Sequence, residues 1–203
     1  MTRYRLILSI IFVTFWIAMA IQPAFRSSWL LENYPIFIWV PIVILVGRKV
    51  GFSSASYTMI ALFMMLHMVG AHYTYEKVPG GFWLGELFSS DRNMYDRFVH
   101  MSFGLLITYP AFEVFMKAAK LRNVWNYLFT FSFVMMLAGG YEVIEWITSV
   151  NSNPNASMAY LGAQGDIWDT QIDIYVAGLG CLFTLVVIFL MRWRVTSRVV
   201  SSK

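Results

Sequence analysis

Long apolar stretches alternate with short polar connections along this chain, and the lengths are those of membrane-crossing helices. Six runs stand out, over about 6–21, 31–46, 54–73, 94–116, 125–147 and 169–191. A helix needs roughly 20 mostly apolar residues to cross a bilayer, so the shorter runs borrow from their flanks. The pattern predicts an all-α, multi-pass membrane helix bundle with six transmembrane helices, built as a single membrane-embedded domain over 1–203. The first run follows Arg3 and Arg5 and ends in Ala18-Met19-Ala20, which also fits a signal peptide with a small-x-small cleavage site. The expectation is an uncleaved helix, because Gln22-Pro23 leads soon into another apolar span.

The connections carry their own signals. Pro35 opens the second run, and Pro41 inside it is expected to kink the helix. Between Thr74 and Asn93 the chain is polar but rich in Phe and Trp, as in a loop or short helix lying at the membrane interface. Asn151 to Gly165 combines Ser, Asn, Pro and Gly and reads as a surface loop.

Composition agrees, with 59% hydrophobic and 13% charged residues. The net charge of +4 matters less than where the cations lie. Arg3, Arg5, Arg48, Lys49, Lys117, Lys120, Arg122, Arg192, Arg194, Arg198 and Lys203 fall on one side of a six-span topology. Only Arg26, Lys77, Arg92 and Arg97 fall on the other. By the positive-inside rule the first side is cytoplasmic, which places both termini in the cytoplasm. The lipid bilayer is the implied partner. Nucleic acid is excluded, because the basic residues flank apolar runs instead of forming one basic face. Cys181 has no second cysteine to pair with, so there is no disulfide framework.

Carboxylates sort the opposite way, and the three histidines go with them. Every Asp and Glu except Glu113 lies on or near the outer side, together with His67, His72 and His100. Asp96 and His100 are four apart, Glu142 and Glu145 three apart, and Asp166, Asp169 and Asp173 recur at three and four. Residues at those spacings share a helix face. His67 and His72 are five apart and diverge by roughly 140° at ~3.6 residues per turn, so one of them at most joins the rest. A pocket built from His67 or His72, Asp96, His100, Glu142, Glu145, Asp166, Asp169 and Asp173 is expected near the outer face.

Imidazole with carboxylate oxygens suits a divalent metal such as zinc, iron or manganese, and a bound water there would permit ester hydrolysis at the outer leaflet. No His-Glu-x-x-His, Glu-x-x-His or cysteine cluster accompanies these residues. Two other readings stand beside the metal-dependent enzyme. One is a carrier or proton-coupled transporter, which needs polar groups continuing inward, where only Glu113 and Thr108 offer themselves. The other is a non-catalytic membrane or assembly protein, in which Arg92 or Arg97 pairs with a glutamate and locks the bundle. Met64, Met65 and Met68 around His67 read as core filling rather than a Cu(I) site.

Four blocks, taken in order, carry a resemblance. They are His67-x-x-Gly70-Ala71-His72-Tyr73-x-Tyr75, Asp96-Arg97-x-x-His100, Tyr141-Glu142-x-x-Glu145-Trp146 and Gly165-Asp166-x-Trp168-Asp169-x-Gln171-x-Asp173. Over nearly the whole chain they resemble the YjdF-like family of bacterial inner-membrane proteins, a domain family of unknown function. The resemblance implies a multi-pass protein of the bacterial inner membrane and assigns no catalytic residue, ligand or substrate.

Overall fold

A computed structural model describes residues 2–151 and 164–201. Within them lie seven helices and no strand: α1 (Arg3–Ala20), α2 (Arg26–Val50), α3 (Ser54–Tyr73), α4 (Pro79–Leu87), α5 (Tyr95–Lys117), α6 (Asn123–Asn151) and α7 (Asp169–Ser201). Six are long and apolar enough to cross a membrane. The seventh, α4, is the short helix within the aromatic connection, with Pro79 at its first position, where the missing N–H costs nothing. The expected loop at 151–165 lies for the most part outside the described residues.

Local chemistry sets several ends. Thr2 caps α1 by accepting from the Arg5 N–H, and Ser53 caps α3 by accepting from Ser56. Gly51 ends α2 in the left-handed conformation at φ 70°. Helix α2 starts at Arg26, before the apolar run that marks it, because its first turns carry Ser28, Glu32 and Asn33 inward. Trp16 Nε1 donates to Asn33 Oδ1 at 2.8 Å and ties α1 to this stretch. Both Pro35 and Pro41 are contained within one continuous helix.

The closest packing is between α5 and α7. A side chain at Gly104 would run into the Ala177 carbonyl and, at 2.7 Å, the Cys181 nitrogen. One at Gly180 would meet Met101 O and, at 2.9 Å, Leu105 N. The two backbones therefore touch along a seam of small residues, as expected where no hydrophobic effect drives helices together and close van der Waals contact must do so. Thr184 Oγ1 donates to the Leu105 carbonyl across the seam at 2.9 Å. Helix α3 also packs on α5, α1 on α3, and α6 on both α5 and α7.

The two ends of the bundle differ in charge. At one end Arg5 Nη2 donates to Phe52 O at 3.3 Å, Lys117 Nζ to Gly51 O at 2.7 Å, and the Arg192 guanidinium lies 5.6 Å from the Phe112 ring centroid. Glu113 closes this basic end. Its carboxylate accepts from Ser53 N at 3.0 Å, Ser56 Oγ at 2.5 Å and Lys117 Nζ at 2.6 Å, pinning the start of α3 to the end of α5. The other end is tied by Ala24 N to His72 O at 2.8 Å and by Asn93 and Gln164, which exchange two hydrogen bonds.

We propose that the basic end faces the cytoplasm, since basic flanks are retained there. A reporter active only in the cytosol, fused after Lys203, is expected to work. Activity of a periplasm-only reporter at the same position would reverse the orientation.

Candidate functional site

At the acidic end the predicted residues other than His72 fall into three groups. The first is centred on His67 of α3. Its Nε2 lies 2.7 Å from the Glu32 carbonyl, an atom that can only accept, so Nε2 carries the proton. Nδ1 then accepts from the Tyr75 hydroxyl. Burial holds that phenol well above its ordinary pKa, so it stays a donor. Both ring nitrogens of His67 are engaged, and no lone pair is left for a cation. Gly70 makes this possible: a side chain there would collide with the Tyr75 ring, which folds back over α3 through the left-handed residues Thr74 and Tyr75. His72 points elsewhere, donating from Nδ1 to Met19 O of α1 at 2.9 Å.

The second group is centred on His100 of α5. Its Nε2 lies 3.6 Å from Asp96 Oδ1 and 3.3 Å from Glu142 Oε1 of α6. Asp173, the first inward acid of α7, completes it. One ligand atom each from Asp96, His100 and Asp173 lies within 4.8 Å of the others. Asp173 is 2% exposed, and among the described residues its Oδ1 has no hydrogen-bond partner. Glu145 is half-buried one turn further along α6, within electrostatic reach of Glu142, Asp96, Glu32 and Asp173.

The third group is an arginine–aspartate lattice over the other two. Arg92 pairs with Asp169 and Arg97 with Asp166, and longer contacts join Arg92 to Asp166 at 3.8 Å and Arg97 to Asp169 at 3.9 Å. The Trp168 N–H, 2.9 Å from Asp166, and the Arg97 guanidinium hold the Asp166 carboxyl below the usual aspartate range. The arginines thus meet aspartates of the α7 entry, not the glutamates of α6. Among the described residues no lysine or arginine forms an ion pair with Asp96, Glu142, Glu145 or Asp173.

The family described as "Predicted membrane protein (DUF2238)" matches residues 4–194. The chain belongs to this family. It is similar to the "Inner membrane protein YjdF" of Escherichia coli (strain K12), with 36% identity over 169 residues, covering 83% of this chain and 79% of that protein. No solved structure matches. With six long apolar helices, the protein is a multi-pass inner-membrane protein set in the lipid bilayer.

Two site residues escaped the helix-spacing argument. Glu32 is 1% exposed, accepts from Tyr141 Oη at 3.0 Å, and lies 4.0 Å from His67 Nε2. Tyr141 also bridges the groups, its ring centroid 6.4 Å from that of His67 and 6.2 Å from that of His100. Glu32 stands without an acid or histidine three or four positions away, so no local spacing marks it.

Tyr75→Phe is expected to strand His67 Nδ1 in the interior and lower stability by about 1–3 kcal/mol, the cost of a buried unsatisfied group. Thermal unfolding in mild detergent measures it, and an unchanged midpoint would remove Tyr75 as the partner of His67.

Proposed function

We propose that the protein is a divalent-cation-dependent membrane enzyme acting at the outer leaflet, with Asp96, His100 and Asp173 as cation ligands and Glu142 as general base. The observation that carries this reading is the buried Asp173 Oδ1, which has no hydrogen-bond partner among the described residues and lies beside Asp96, His100 and Glu142. Uncompensated carboxylates at membrane depth are expensive and mark functional sites. A cation of charge two would offset Asp96 and Asp173 together, and imidazole with carboxylate is a ligand set that zinc, iron and manganese accept.

The chemistry follows from that placement. A divalent cation held by Asp96, His100 and Asp173 would supply Lewis-acid activation of water for ester hydrolysis, and Glu142 is placed to take the proton of the attacking water and return it to the departing alcohol. The Arg92 and Arg97 lattice keeps Asp166 and Asp169 occupied, so they do not compete for the ion. His67 and Glu32, joined to His100 through Tyr141, hold α2, α3 and α6 around the centre.

A scaffold with internally paired charges accounts for Asp166 and Asp169 but leaves Asp173 unexplained. For transport, the polar groups at the two ends are too far apart. His100 and Glu113 are thirteen residues apart on α5, or roughly 20 Å at 1.5 Å per residue. The space between them is lined mainly by apolar side chains.

Protein purified without chelator is expected to hold about one transition-metal ion per chain by elemental analysis, and His100→Ala or Asp173→Asn to lose it. A parent protein free of stoichiometric metal would overturn the reading.

A further inference from the structure

Below the His100 group lies a cavity of about 470 Å³ lined by α2, α3, α5 and α6. Its wall on α5 is one helix face, running through Val99, Phe103, Ile107, Pro110 and Val114. The top is polar, formed by Asp96, His100, His67, Tyr75 and Tyr141, and everything beneath is apolar down to Phe52 at the basic end. From His100 to Val114 the wall is fourteen residues long, or about 21 Å at 1.5 Å per residue. One leaflet contributes about half of the ~30 Å hydrocarbon core, so the depth exceeds a leaflet and matches a single extended chain.

The cavity is also open sideways. Helices α2 and α6 face each other across it instead of packing together, and their lining residues at the rim are exposed: Trp39 at 36%, Ile42 at 38%, Met136 at 60% and Ile144 at 57%. At Gly140 no described residue comes within 4 Å of where a side chain would begin. That rim faces the hydrocarbon of the bilayer, so whatever enters through it comes from lipid and not from water. A slot with one polar end and one long dry end selects a molecule built the same way.

We propose that one acyl chain of an outer-leaflet phospholipid lies in this cavity, entering between α2 and α6 and carrying its ester and phosphate groups to the His100 centre. The inference builds on the cation-dependent reading by naming the substrate class, and it commits to a phospholipid because a cavity of this volume takes a slender chain while the surrounding bilayer supplies it. The exposed glycine at the rim then has a role: it keeps the entrance open. Gly140→Trp and Ile144→Trp each narrow that entrance at positions where a larger side chain meets little protein.

The test uses the full-length protein in vesicles of phosphatidylethanolamine and phosphatidylglycerol that contain a phosphatidylethanolamine with a mid-chain diazirine. After irradiation, peptide mass spectrometry is expected to find adducts on inward-facing Ile107, Val114 and Phe133 as well as on lipid-facing Leu45. Gly140→Trp and Ile144→Trp should reduce the inward adducts at least five-fold while leaving Leu45 labelled. Inward residues without adducts in the parent would overturn the proposal. Loss of the inward adducts on adding a polyprenyl phosphate at equal amount would overturn it too, by assigning the cavity to that lipid class. Metal content of the same samples separates the two readings. Inward adducts in metal-free protein keep the lipid and remove the cation, and bound metal without inward adducts does the reverse.

Discussion

Backbone contact between α5 and α7 is the constraint on which the rest of the bundle depends. In a bilayer the hydrophobic effect does not press helices together, so close approach must come from shape. Gly104 and Gly180 supply that shape, and Ala177 and Cys181 complete the seam. Once the helices touch there, the start of α7 has nowhere to stand except beside the start of α5. Asp169 then meets Arg92, and Asp173 falls inward next to Asp96 and His100. The seam thus converts two stretches far apart along the chain into one polar centre.

The opposite wall is built on a different principle. Helix α2 is held to α3 by Glu32 and His67 and to α1 by Asn33 and Trp16, all near the acidic end. At the basic end Glu113 gathers Ser53, Ser56 and Lys117. Between these two locks α2 stands off from α6 and leaves the long cavity. Polar ties at the ends with a dry gap between them produce a slot that lipid can reach, whereas uniform packing would have closed it.

Much of this was legible along the chain because membrane helices announce themselves by length. Six spans, the sorting of Arg and Lys, and the gathering of acids and imidazoles at one end follow from apolar run lengths and from three- and four-residue spacing. Spacing within a helix says nothing of which helix stands opposite. It therefore could not show that Arg92 and Arg97 meet Asp169 and Asp166, nor that Glu32 is buried. His67 illustrates the same limit. Its angle relative to His72 was readable, but the tyrosine that occupies its second nitrogen arrives from beyond the end of α3. Gly104 and Gly180 were unmarked because a glycine in an apolar run gains meaning only from the backbone that approaches it.

Helices α5 and α7 bring His100 and Asp173 into one group. A double-mutant cycle on unfolding in bicelles, with His100→Ala, Asp173→Asn and the double variant, measures that interaction directly. Groups sharing one centre should couple by about 0.5–3 kcal/mol. Additivity within ~0.5 kcal/mol, the behaviour of independent sites, would contradict the convergence.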